Sequence, residues 1–148
     1  MESAMIRSDI LQPVVVLLAW TMVMWLWMYI VRIPAMSKAG IEPNDARKTS
    51  GLDDALPAEV QWKAHNHNHL HEQPTVFYAT CIILAIAGFG DGMNALLAWI
   101  YVGLRILHSL VQATANVVMV RFVLYALASL VLIALIVHAA IFAFDIHM

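Results

Sequence analysis

The hydrophobic positions of this chain fall into four long runs separated by short polar stretches. They predict membrane-spanning helices at about 10–32, 73–89, 94–112 and 119–144, because crossing the hydrocarbon core takes about 20 apolar residues. The second run is short, and a helical lead-in from about Ala58 is expected to lengthen it. The first run is longer than the apolar core of a signal peptide and is interpreted as a retained span. We expect one all-α membrane domain over residues 1–148.

The polar stretches predict how these spans are joined. Residues 33–63, opening at Pro34, have the composition of a loop, with a short helix starting at Asp53 or Pro57. Gly88–Gly92 predicts a tight turn between the second and third spans. The last connection has almost no loop composition, so the third and fourth spans are expected to form a close hairpin that bends near Asn116.

The basic residues predict the orientation of the chain in the membrane. Of eight lysines and arginines, five lie in or beside the first loop, while the Gly88–Gly92 turn has none. The positive-inside rule therefore predicts that the 33–63 loop is cytoplasmic and that both termini lie on the other side. The five are Arg32, Lys38, Arg47, Lys48 and Lys63.

Composition narrows the class of protein. With 62% hydrophobic residues and a mean hydropathy of +0.77, the chain is far more apolar than soluble domains. The net charge of −2 comes without a basic stripe, so nucleic acid is not expected as a partner. The expected surroundings are the lipid bilayer and lipophilic small molecules. The single cysteine, Cys81, excludes an intrachain disulfide.

Two arginines lie in or at the head of apolar runs. A guanidinium facing lipid is costly, so Arg105 and Arg121 are expected to face polar groups or an anionic ligand. Helical spacing places His108 on the face of Arg105 and Tyr125 on the face of Arg121. We expect Arg105 to be structural, paired with a carboxylate such as Glu72, and Arg121 to contact a ligand. Tyr125 either donates its hydroxyl to that ligand or lies at the interface as an aromatic residue.

Residues 63–74 form the densest polar cluster and lead into the second span. Helical spacing pairs His65 with His69 and His67 with His71, and such pairs can bind a transition metal when further ligands are supplied. The alternative is a polar turn at the membrane surface, and we expect no metal. Asn68 and Glu72 lie on one face and are expected to meet Arg121 or the amine of a ligand, either as a structural ion pair or as ligand contacts.

These features resemble the MAPEG family, the membrane-associated proteins of eicosanoid and glutathione metabolism. The resemblance rests on four spans, a polar first loop, the Asn68, Glu72 and Pro74 cluster, and Arg105-x-x-His108 followed sixteen residues after Arg105 by Arg121. It implies a homotrimer of four-helix bundles, with glutathione bound between subunits near the cytoplasmic face.

The resemblance also implies roles for individual residues. Arg121 matches the arginine that stabilises the glutathione thiolate, and Tyr125 the tyrosine one turn later. Arg105 and His108 match the arginine and histidine of the third span. The remaining matches are Arg32 to the basic residue facing the glutathione carboxylates, and Asn68 and Glu72 to the amide and carboxylate at the glutamyl end.

Some positions depart from the family pattern. Glu72 follows Asn68 by four residues where three is usual, and Pro74 follows Glu72 by two. Ala64 or His65 stands where the family has an arginine one turn before the asparagine, a loss that Lys63 or His65 would have to offset. In addition, Phe122 replaces a hydroxyl residue and Gln112 a tyrosine.

The resulting hypothesis is a glutathione-dependent transferase or peroxidase in the bacterial inner membrane that acts on lipophilic electrophiles on the cytoplasmic side. Arg121 is the expected catalytic residue, and Arg32, Asn68, Glu72, His108 and Tyr125 are expected to bind the thiol. The alternative is a non-catalytic lipid- or anion-binding membrane protein of the same fold. The sequence leaves both open.

Overall fold

A computed structural model describes residues 7–145, and all regular structure within them is helical. The first helix, α1, runs over Leu11–Lys38 with Pro34 inside it. The predicted start of the loop at 33 is therefore wrong. An interior proline removes one hydrogen bond without ending the helix. The helix ends instead at Lys38, shortly before Gly40, whose φ of +67° fits the left-handed conformation that follows many helices.

The connection after α1 contains short helical segments. A 3₁₀ turn at Thr49–Gly51 leads into α2 (Leu52–Ala55), and α3 follows over Ala58–His69. This confirms the prediction of helix near Asp53 and Pro57. Leu52 and Leu56 are buried, so the segment is attached to the rest of the chain.

The second predicted span differs most from expectation. The lead-in from Ala58 is present, but as a separate helix, and α4 begins only at Gln73 and ends at Ile86. The chain breaks between the two because Pro74 in the first turn of α4 has no N–H to continue the ladder. At 1.5 Å per residue α4 is about 21 Å long, shorter than the hydrocarbon core of about 30 Å.

The last two helices form the expected hairpin. The Gly88–Gly92 turn, with both of these glycines at positive φ, leads into α5 (Met93–Ala113), and α6 covers Val118–Ala143. Asn116 lies in the bend with a φ of +49°, and its N–H donates to the carbonyl of Val111 (2.7 Å). The bend closes in four residues because asparagine tolerates this conformation.

Packing places α5 at the centre, against α1, α3 and α6, while α4 contacts α1 and α6. Phe77 and Tyr101 stack with centroids 4.3 Å apart, and the Tyr101 hydroxyl donates to Gln73 (3.2 Å). Gln73 in turn donates to Ser129 on α6 (2.8 Å). The polar end of α4 is thereby fixed to both hairpin helices.

Within the described residues, three helices are long and apolar enough to cross a membrane: Leu11–Lys38, Met93–Ala113 and Val118–Ala143. Their most apolar windows are 28%, 44% and 17% buried, respectively. The exposed remainder is dominated by large aliphatic and aromatic side chains. Such surfaces are far larger than the apolar patches that water-soluble monomers expose, and they fit contact with lipid.

Candidate functional site

A cleft of about 270 Å³ opens where the end of α3 meets α5 and α6. It is called the Arg121 cleft below. It brings together three of the predicted site residues, from two helices, and adds His69, which the sequence analysis considered only as a possible metal ligand. The lining residues are His69, His108, Val118, Arg121, Phe122 and Tyr125.

Arg121 lies in the first turn of α6 and is anchored to the bend before it. Its Nη1 donates to the side-chain oxygen of Asn116, the residue that closes the α5–α6 connection. Its Nε is buried and has no hydrogen-bond partner within residues 7–145. One edge of the guanidinium is thus fixed, while a buried donor lacks an acceptor, which is costly for a charged group.

His69, the last residue of α3, occupies the position that the sequence analysis assigned to Asn68. Its Nδ1 lies 2.6 Å from Glu72 Oε2, and its ring stacks on Tyr125 at 5.3 Å. Asn68 is exposed and lines a different cavity with Arg32. The sequence contained an indication of this, because His69 stands three residues before Glu72 and three is the usual spacing in the family. The structure therefore separates Asn68 from Glu72, Arg121 and Tyr125.

Arg105 lies deeper and is fully buried. Its Nη2 donates to the main-chain oxygen of His69 (3.0 Å), and its guanidinium lies 5.7 Å from the centroid of the Tyr125 ring. The expected ion pair with Glu72 does not form in the described chain, because that carboxylate is bonded to His69 and its side chain is 65% exposed. Arg105 Nε and Nη1 have no partner within residues 7–145.

His108 completes the aromatic side of the cleft. Its ring centroid lies 5.0 Å from that of His69 and 6.2 Å from that of Tyr125. Unlike His69, it is almost fully buried, with 3% exposure. The predicted pair on α5, Arg105 and His108, thus lies side by side with Tyr125, as helical spacing indicated.

A second polar residue that the sequence analysis missed is Asn66. It is fully buried, donates to Gln112 (2.8 Å) and accepts a hydrogen bond from Ser109. These bonds join α3 to α5. Gln112, at the family's tyrosine position, therefore serves as a packing partner for α3.

A larger cavity, of about 400 Å³, lies between α1, the loop and α3 and is called the Arg32 cavity. Arg32 donates to Gln61 Oε1 through Nε (3.3 Å) and Nη2 (3.0 Å), and Gln61 donates to Asp53 (2.7 Å). His65 Nε2 lies 2.9 Å from the same Asp53 oxygen. The hydrogen bonds from His65 and Gln61 lower the pKa of Asp53. Lining residues are Met28, Tyr29, Arg32, Thr49, Ser50, Asp53, Ala64, His65, His67 and Asn68.

The histidine cluster of α3 is divided between several environments. His67 and His71 face each other with ring centroids 4.6 Å apart, as the spacing predicted, whereas His65 bonds to Asp53 and His69 to Glu72. In the described part of the chain, no group of three histidine, cysteine, aspartate or glutamate side chains is placed to hold a metal ion.

The electrostatics of the Arg121 cleft favour an anion. Neither Arg105 nor Arg121 forms an ion pair with a carboxylate among residues 7–145. The carboxylate of Glu72 is bonded to His69 instead. Arg121 therefore lines a small, mostly apolar cleft with a buried donor that has no partner in the described chain, and buried Arg105 adds a second positive charge behind Tyr125. This arrangement stabilises a negatively charged ligand atom.

Fold and site together define a helical integral membrane protein with a cationic cleft at one end of its helices. The model of the MAPEG family matches residues 10–141, which is most of the chain. The protein therefore belongs to the MAPEG family, which includes glutathione transferases and peroxidases together with other members. Comparisons with curated proteins and with solved structures gave no match.

Proposed function

We propose that this protein is a glutathione-dependent transferase or peroxidase that acts on lipophilic electrophiles arriving through the bilayer. The observation that carries the proposal is the Arg121 cleft, in which a partly anchored guanidinium keeps a buried donor without a partner in the described residues. Membership of the MAPEG family supplies the class of thiol.

The chemistry follows from the properties of a thiol. A free thiol has a pKa of about 8.5 and is mostly protonated at neutral pH, yet its thiolate is the nucleophile. A guanidinium stabilises the thiolate by charge and by directed hydrogen bonds, and it does not accept the proton itself. Arg121 would therefore stabilise the glutathione thiolate, and Tyr125 would donate its hydroxyl to the bound thiol.

The proposed assembly is a homotrimer of four-helix bundles in which α3 and α4 together form the second bundle element. Two observations support it. The residues expected to bind glutathione lie in two cavities of one chain, with Arg32 and Asn68 apart from His108, Arg121 and Tyr125. A site between subunits would unite the Arg32 cavity of one chain with the Arg121 cleft of the next.

The positive charges around the first loop support a cytoplasmic site in a bacterial inner membrane. In this arrangement Arg32 would meet the glutathione carboxylates. Glu72 has a second carboxylate oxygen, which would accept the amine of the glutamyl end. Asn68 would contribute its amide from the Arg32 cavity.

The structure also bears on the arginine that the family has one turn before its asparagine. Ala64 is buried, Lys63 donates to the carbonyl of Glu59 (2.7 Å) and lies 5.5 Å from the Trp27 ring, and His65 bonds to Asp53. None of the three faces the Arg121 cleft. Losing one charge-assisted hydrogen bond of about 1.5–3 kcal/mol weakens binding roughly tenfold or more. We therefore expect a dissociation constant for glutathione in the millimolar range.

The lack of this arginine also favours the second candidate, a non-catalytic binder of lipid or another anion. Phe122, which stands where some relatives have a hydroxyl, is 64% exposed and lines the cleft. An acyl chain would pack against Phe122 while its headgroup anion meets Arg121.

Calorimetric titration with glutathione to about 10 mM, which detects dissociation constants of about 1 mM, separates the two candidates. Saturable heat with glutathione, together with conjugation of a lipophilic aryl halide, is expected. No heat and no thermal shift would contradict the transferase proposal and leave the anion binder. Native mass spectrometry from mild detergent should show three chains, and a stable folded monomer would contradict the shared site.

A further inference from the structure

His69, which lines the Arg121 cleft, is paired with the carboxylate of Glu72. Their Nδ1–Oε2 distance is 2.6 Å. An ionised carboxylate only accepts hydrogen bonds, so Nδ1 carries the proton and Nε2 of a neutral ring is left as the acceptor. The ring cannot turn freely, because it stacks on Tyr125 at an interplanar angle of 27° and lies against His108. The chain is also fixed there, since Arg105 binds the His69 carbonyl.

Burial, helped by two nearby arginines, favours the neutral form of the His69 ring. Burial lowers its pKa, the hydrogen bond and charge of Glu72 raise it, and the charges of Arg105 on α5 and Arg121 on α6 lower it again, with a net lowering from 6.5. His108 and Tyr125 are the other titratable groups that face the ring. A neutral imidazole beside two guanidinium groups is a proton acceptor at neutral pH.

We propose that His69, aligned by Glu72, is the base that takes the proton from the thiol bound in the Arg121 cleft. This inference rests on the proposed function. Arg121 and His69 have separate roles in this arrangement. Arg121 stabilises the thiolate but cannot accept a proton, and His69 accepts the proton. His108 is the weaker candidate, since it is 3% exposed and has no carboxylate partner in the described chain.

The proposed step is balanced within the site. The thiol S–H bond breaks, its proton goes to His69 Nε2, and the electron pair stays on sulfur beside Arg121. The sulfur then forms a bond to the electrophilic carbon, and the leaving group departs with its bonding pair. The imidazolium returns its proton to the leaving group or to water. Glu72 remains ionised and stabilises the imidazolium that forms.

The test is the pH dependence of conjugation in the full-length protein carrying His69→Asn, with glutathione and a lipophilic aryl halide. About 3% of a thiol with a pKa of about 8.5 is already ionised at pH 7, so we expect loss of the base to lower kcat/KM at that pH by up to about 30-fold. The loss should shrink as the pH passes the pKa of the free thiol, about 8.5, because solvent then removes the proton. A merely structural role would give the same loss at every pH. Glu72→Gln should give a smaller loss with the same pH trend.

Two further measurements keep the inference separate from the proposed function. S-methylglutathione has no thiol proton, so it should bind His69→Asn as tightly as it binds the unaltered protein. The matched control is His71→Asn, since exposed His71 binds the carbonyl of His67 (2.9 Å) and lies outside the cleft. Two results would overturn the role of His69 while leaving the proposed function in place. One is a pH profile of His69→Asn that runs parallel to that of the unaltered protein. The other is a pH-dependent loss of kcat/KM in His108→Asn and not in His69→Asn. Failure of the unaltered protein to bind glutathione would overturn both proposals.

Discussion

The Arg32 cavity and the Arg121 cleft are both lined by residues of α3, and they differ in whether their charged groups have partners. In the Arg32 cavity the arginine is bonded to Gln61, and Asp53 accepts from both Gln61 and His65. At the Arg121 cleft, Arg121 in the lining and Arg105 against Tyr125 keep buried donors without partners in residues 7–145. The first is a closed polar network, whereas the second needs an acceptor from outside the described chain.

This difference shows which observation identifies a ligand site. The Arg32 cavity is larger, at about 400 Å³ against about 270 Å³, and it contains more polar side chains. A cavity whose polar groups already satisfy each other gains little from a ligand, because each new hydrogen bond replaces an existing one. Unsatisfied buried donors offer the larger gain, which is why we place the chemistry at Arg121.

Replacing Arg121 by Leu should give the largest effect. The thiolate would lose its stabilising charge, and removing one such group typically lowers kcat by about 10²–10³-fold. The thermal midpoint should change little, since this side chain binds only Asn116 in the described chain. The measurement is the conjugation rate together with detergent-phase thermal unfolding. Arg121→Lys is the matched control, because it keeps the charge but loses the planar fork, and we expect intermediate activity.

Replacing Arg105 by Leu should act on stability instead. The carbonyl of His69 would lose the hydrogen bond from Arg105 and keep only the long one from the Glu72 N–H (3.4 Å). Losing a hydrogen bond to a charged group costs about 1.5–3 kcal/mol. Thermal unfolding in detergent should show this loss, while Arg47→Gln, in the exposed loop, should stay within about 0.5 kcal/mol of the unaltered protein. Equal unfolding midpoints for the Arg105 and Arg121 variants would show that the two arginines do not divide structure and function.

Much of the architecture could be predicted from the sequence because local signals set it. The glycine-rich turn and the bend at Asn116 are positions where the backbone adopts positive φ, and both were recognised from residue type. Pro34 was misread because one proline in a long apolar helix costs a hydrogen bond without breaking it. The MAPEG resemblance, confirmed over residues 10–141, rested on motif spacing in the same way.

The candidate site was predicted only in part, and the reason is geometric. Neighbouring residues on a helix point about 100° apart, so assigning Asn68 instead of His69 moves the predicted contact to a different cavity. The break between α3 and α4 determines which residues of this segment face α6, and the position of the break depends on packing around Pro74. Asn66 was missed for a similar reason, since a buried amide and an exposed amide two residues apart look alike in sequence.

The smallest predicted effect tests whether the Arg32 cavity is a closed network. Asp53→Asn should weaken its bonds to His65 and Gln61 and speed amide hydrogen exchange in residues 39–57 by about twofold to fivefold, the range expected for exposed pairs. The control is Asp54→Asn, which removes the same charge from an exposed neighbouring residue and should leave exchange unchanged.

The pH dependence of the same loop has a definite sign. The pKa of Asp53 is lowered in the folded chain, so its contribution is present above its ordinary value of 3.8 and is lost as the pH falls through the lowered pKa. Loop exchange, corrected for the intrinsic chemical rate, should therefore increase below pH 3.8 in the unaltered protein and change less in Asp53→Asn. Loss of conjugation in Asp53→Asn comparable to that in Arg121→Leu would contradict the contrast between the two sites, because the proposed function gives the Arg32 cavity a part in binding the glutathione carboxylates and none in the thiol chemistry.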